Sequence, residues 1–130
     1  MQLIVRGGMP EKYLQKFACG ALFLLALDAL WITGTKNAYL PYISTRSQPI
    51  IIMGYILYAL LAGAIAASFT APTLGSAASA GGLIGFLVFS VFNLTTFITN
   101  AKYPFWLASL DTLYGTIAWV LMFVVQSAVV

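Results

Sequence analysis

Histidine is absent from this chain, and cysteine occurs once, at Cys19. A single thiol cannot close an internal disulfide, and haem, iron–sulfur and structural zinc sites lose their usual ligands. Cys19 lies in an apolar segment and reads as a small packing residue. Charge is scarce as well. Asp, Glu, Lys and Arg together make up 7% of the residues, against roughly 25% in a soluble domain. Such a chain cannot cover itself with a solvated surface, so lipid is its expected solvent. The net charge of +3 is spread thinly. It forms no basic stripe, which excludes nucleic acid as a partner. A glycine-rich phosphate loop and a nucleophile–base pair are also missing. The chain is therefore expected to be no enzyme, with no catalytic residue, cofactor or metal assigned.

What the chain does have is apolar length: 62% of its 130 residues are hydrophobic, enough for one domain. Spans need about 20 mostly apolar residues. Four segments qualify, at about 14–35, 50–69, 78–100 and 104–126, the second following Pro49 and the fourth opening on Pro104. The expected fold is an all-α integral membrane protein, a single up-down bundle of four transmembrane helices. Residues 1–13 form a polar N-terminal segment and 14–130 the transmembrane domain. The segment "MQLIVRGGMPEKYLQKF" runs into an apolar stretch without a small-x-small cleavage site. It is expected to lead into a retained membrane helix, with organelle targeting as the alternative for its first residues. The short linker "AKYP" makes the third and fourth helices antiparallel neighbours. Ala59, Gly63 and Ala67 recur at a spacing of four, as do Ala77, Gly81 and Gly85. Small-residue faces let helices approach closely in lipid, so the second and third helices are expected to pack along them.

An even number of spans leaves both termini on one side. Arg6, Lys12 and Lys16 precede the first span, while Lys36, Arg46 and Lys102 flank the opposite side, so the positive charges tie. Dominance of the first helix favours a cytoplasmic or matrix N-terminus. The membrane itself is open, an organellar or viral one included.

The chain has three acidic residues, Glu11, Asp28 and Asp111. Two of them sit inside spans, in the similar pentapeptides "LDALW" and "LDTLY". A carboxylate in hydrocarbon costs about 2.5–3.5 kcal/mol even on the milder insertion scale, so both aspartates should face the bundle interior. Each lies about seven residues, roughly 10 Å, inside the same end of the bundle. Asn93 and Tyr58 fall at similar depths, and Thr96 shares the stripe of Asn93. The expectation is one polar layer of Asp28, Tyr58, Asn93, Thr96 and Asp111, in which the two carboxylates meet. At least one should then be protonated near neutral pH, or a cation should lie between them. Lys36 and Lys102 are near enough to reach back toward the layer.

Other signals are weaker. "NLT" at 93–95 fits a glycosylation pattern but falls within a span. Tyr39, Tyr42, Tyr103 and Trp106 read as an interfacial aromatic belt. Trp119 reads as an anchor or packing residue. An aspartic-protease dyad is set aside, because neither aspartate follows a glycine-rich turn.

The combination of "LDALW", "YILYA", "GFLVFSVFNLTTF", "YP" and "LDTLYGT" resembles the small membrane-protein family known as domain of unknown function DUF2177. The resemblance covers nearly everything after about residue 17. It implies a four-helix integral membrane protein and no settled activity. This chain departs from the family pattern. Asn93 stands where many bacterial relatives carry an acid, Thr96 replaces an asparagine, Phe92 a tyrosine and Tyr114 a tryptophan. These departures suggest a divergent member from a eukaryotic or viral branch, with one negative charge fewer in its polar layer.

The leading expectation is an accessory or structural component of a larger membrane assembly, its partners being lipids and other membrane subunits and its polar layer fixing the bundle. The alternatives are a proton- or cation-handling carrier or channel using Asp28 and Asp111, and binding of a lipid headgroup assisted by Lys36, Arg46 and Lys102.

Overall fold

The computed structural model describes residues 11–42 and 46–130. They form four α-helices and, among the described residues, no strand: α1 Glu11–Tyr39, α2 Gln48–Ala67, α3 Leu74–Thr99 and α4 Phe105–Val129. All four are long and apolar enough to cross a membrane, and the protein is an integral membrane bundle. The expected N-terminal polar segment lies mostly outside the described residues. Its last part, from Glu11, is the first turn of α1, where an acid meets the positive end of the helix dipole.

The helices exceed their expected bounds where local chemistry favours it. α3 begins at Leu74, ahead of the expected start, because Thr73 and Ser76 close a reciprocal capping box. α1 continues to Tyr39, four residues beyond the expected end, and carries Lys36 in its last turn. At 29 residues α1 is about 43 Å long, well beyond a hydrocarbon core of about 30 Å.

The small-residue faces are buried, but against other neighbours than expected. α2 packs on α1, α3 packs on α4, and α1 joins α4, giving the spatial order α2–α1–α4–α3. A Cβ on Gly63 would lie 2.9 Å from the Phe17 carbonyl oxygen and 3.0 Å from the Ala21 nitrogen, so α2 rests directly on the backbone of α1. A Cβ on Gly81 would lie 2.5 Å from the Trp119 carbonyl oxygen, and α3 rests likewise on α4. The expected packing of α2 along α3 is corrected by these contacts. Each small face closes a sequence-adjacent hairpin, α2 onto α1 and α3 onto α4. α2 and α3 touch through side chains such as Tyr58 and Phe89, edge to face at 6.2 Å.

All four helices contribute to the core, α4 most of all. Leu24, Ala62, Ala66, Ala77, Ala118 and Met122 are buried there with Trp119 and Phe123. The α1–α2 and α3–α4 connections meet at one end, where Asn100 Nδ2 donates to the Tyr42 carbonyl at 2.8 Å. At the other end Gln126, 2% exposed, donates from Nε2 to the Lys16 carbonyl at 2.8 Å. Tyr13 donates there to the Ala64 carbonyl at 3.3 Å, tying α1 to α2.

Candidate functional site

Asp28, Asn93 and Asp111 are 4%, 1% and 8% exposed, in helices whose other faces are apolar. Asp111 takes a donor on each oxygen. Tyr39, on the last residue of α1, donates its hydroxyl to Oδ1 at 2.6 Å, and Asn93 Nδ2 donates to Oδ2 at 2.9 Å. Asn93 Nδ2 also reaches the Phe89 carbonyl at 2.9 Å and Thr112 Oγ1 at 3.2 Å. Its Oδ1 accepts from the Tyr103 hydroxyl at 2.7 Å. Asp28 accepts on Oδ1 from the Tyr114 hydroxyl of α4.

The two carboxylates, expected to meet, have no hydrogen bond to each other. They cross-pair. The acid of α1 takes the tyrosine of α4, and the acid of α4 takes the tyrosine of α1. Trp31 links the two pairs. Its ring stacks on Tyr114 with centroids 4.2 Å apart, and its Nε1 donates to the Tyr39 oxygen at 3.2 Å. Helix geometry explains the crossing. Because α1 runs on to Tyr39, Asp28 lies about 16 Å from that helix end, whereas Asp111 lies about 9 Å inside the start of α4. The acids sit on different levels, each opposite the other helix's tyrosine.

Tyr58 belongs to a third pair, in which its oxygen accepts from Trp119 Nε1 at 2.8 Å. Trp119 is 1% exposed and packs in the core. The expected single layer is thus a staircase. Thr96 is not part of it, since its hydroxyl donates to the Phe92 carbonyl of its own helix at 2.9 Å. Lys36, Arg46 and Lys102 are exposed, and the acids draw their hydrogen bonds from Tyr and Asn instead. Lys36 lies in the last turn of α1, where a cation is favoured.

Two tyrosines assigned to an interfacial belt face inward. Tyr103 is 3% exposed, packed with Leu107 and Ala108, and Tyr39 is half-buried. Trp106 remains exposed and meets Tyr42 edge to face at 6.2 Å. Tyr103 lies between the spans. Burial, then the charge of Asp111, pushes its hydroxyl up to about 12.

A groove of about 330 Å³ runs between α1 and α4, lined by Leu27, Leu30, Trp31, Tyr114, Ile117 and Leu121 among others, with no acid or cation. Among the described residues, no three His, Cys, Asp or Glu side chains gather as a metal-ligand group. The arrangement can lock helix register and hold one buried acid, Asp28, with an oxygen to spare. Comparison of the chain with protein-family models, with curated proteins and with solved structures finds no match.

Proposed function

We propose that this chain is an accessory or structural component of a membrane assembly, and that its polar residues serve to fix one arrangement of α1, α3 and α4. The cross-paired clasp of Asp28 with Tyr114 and Asp111 with Tyr39 carries this reading. Nearly every polar atom of the staircase is engaged inside the bundle, which leaves its outer faces apolar for lipid and neighbouring subunits. Polar bonds between membrane helices average only about 0.6 kcal/mol, so their value lies in selecting one packing more than in strength. Kinship with the DUF2177 family is part of the same proposal. Asp28 and Trp31 of "LDALW" and Asp111 of "LDTLY", which carry the resemblance, take part in the clasp, while Tyr114, where this chain departs from the family's tryptophan, supplies the donor to Asp28.

The test is the native mass of the tagged protein, extracted from its own membrane in mild detergent, with co-purifying proteins identified. Migration in a large complex of defined partners is the expected outcome. Migration as a monomer or small homo-oligomer would overturn it. Retained lipid or a pH-driven flux in liposomes would then select between the headgroup and carrier readings.

A further inference from the structure

The two intramembrane acids are alike in sequence and unlike in their surroundings. Asp111 has a donor on both oxygens. Asp28 has one, from Tyr114 to Oδ1. Asp28 Oδ2 is buried and, among the described residues, has no hydrogen-bond partner. Among the described residues, the titratable groups around Asp28 are Tyr114 and Asp111 of α4 and Tyr55 and Tyr58 of α2, and none of these is a cation. α3 adds Asn93, which is engaged with Asp111.

A carboxylate oxygen buried in such a place without a donor is costly to keep charged. A hard metal ion would need about six oxygens, and the groups near Oδ2 cannot supply them. A proton needs one. It turns Oδ2 from an orphaned acceptor into a donor. Protonation there removes an uncompensated buried charge, which is far costlier than an unpaired neutral hydroxyl. We propose that Asp28 is an exchangeable proton site, protonated on Oδ2 at neutral pH, and that Asp111 has no such role and serves to hold the helices. This goes beyond the structural reading of the clasp and does not depend on partner subunits.

The experiment is infrared difference spectroscopy of the purified protein in lipid nanodiscs across a pH series, with and without carboxyl-¹³C aspartate. At neutral pH the wild type should show a neutral carboxylic-acid band that shifts with the label and bleaches reversibly at alkaline pH. The band should vanish in Asp28→Asn, a near-isostere of the neutral acid, and persist in Asp111→Asn. Absence of the band in the wild type at neutral pH would overturn the proposal. So would its survival in Asp28→Asn, or its loss in Asp111→Asn as well, which would mean a shared proton. Should either variant misfold, the Asp28 Cγ shift in labelled wild-type protein, read by solid-state NMR, decides the same question without a substitution.

Discussion

Asp111 is the best-satisfied acid of the membrane interior, which makes it the sharpest probe of the clasp. Asp111→Asn turns one acceptor into a donor facing the hydroxyl of Tyr39 or the amide of Asn93. A buried donor without an acceptor costs about 1–3 kcal/mol, and thermal unfolding in detergent should register that loss. Tyr39→Phe should fall in the same range by leaving Oδ1 bare. The double variant should lose less than the sum, since both changes break one bond. Thr96→Val should stay within about 0.5 kcal/mol of the parent, because its hydroxyl serves only its own helix. Tyr103 gives a pH test. Its hydroxyl ordinarily ionises near 10.0 and is held to about 12 in the fold. The folded state therefore keeps a proton that the unfolded chain has lost. The contribution of Tyr103 is intact below about pH 10 and declines as pH rises to about 12. A tyrosinate absorbance titration, set against Tyr103→Phe, reads this directly. The aspartates were legible in the sequence because charge is rare there. Their partners were not, since a tyrosine near a span end looks the same whether it anchors in the interface or turns inward.

At the scale of the helix, the spans were legible and their neighbours were not. Long apolar runs bounded by Pro49 and Pro104 mark the helices, and the bounds shifted mainly where capping chemistry intervened, as at Thr73 and Ser76. In a soluble bundle the polar face of a helix tells which side is outward. Here both core and lipid faces are apolar, so the pattern carries little phase. A small-residue stripe announces close packing without naming the partner. Glycines make the point testable. A Cβ on Gly85 would lie 2.5 Å from Trp119 Cβ, whereas Gly34 and Gly54 have open space around theirs. Gly85→Ala should overpack the α3–α4 seam and destabilise by about 1–3 kcal/mol. Gly34→Ala and Gly54→Ala, on lipid-facing helix surface, should be neutral or should stabilise by up to about 1 kcal/mol through helix propensity. Unfolding midpoints of the three variants, measured side by side, separate seam from surface. Equal effects at all three sites would contradict the packing described.

For the whole molecule, the decisive feature is that the polar staircase descends from one end only. The two connections there are held together, with Asn100 bonded to the Tyr42 carbonyl and Tyr103 seated under Tyr39 and Tyr42. Loop charges tie between the two sides and leave orientation undecided, but the relative placement of the loops follows from four crossings. Lys36 and Lys102, both exposed, belong on one side, and Thr70, exposed in the α2–α3 connection, belongs on the other. Single cysteines placed by Lys36→Cys, Lys102→Cys and Thr70→Cys in a Cys19→Ala background test this with a membrane-impermeant maleimide on sealed vesicles. The first two should label from the same face and the third only from the opposite face or after permeabilisation. Opposite labelling of Lys36→Cys and Lys102→Cys would require an odd number of crossings between them. Asp28 and Asp111 would then approach from opposite ends of the membrane, and Tyr39 could not reach Asp111. The same three cysteines also report which face the N-terminus shares, because a chain with four crossings returns its last residues to the side of its first. The topology experiment thus tests the clasp and resolves the orientation that balanced charges leave open.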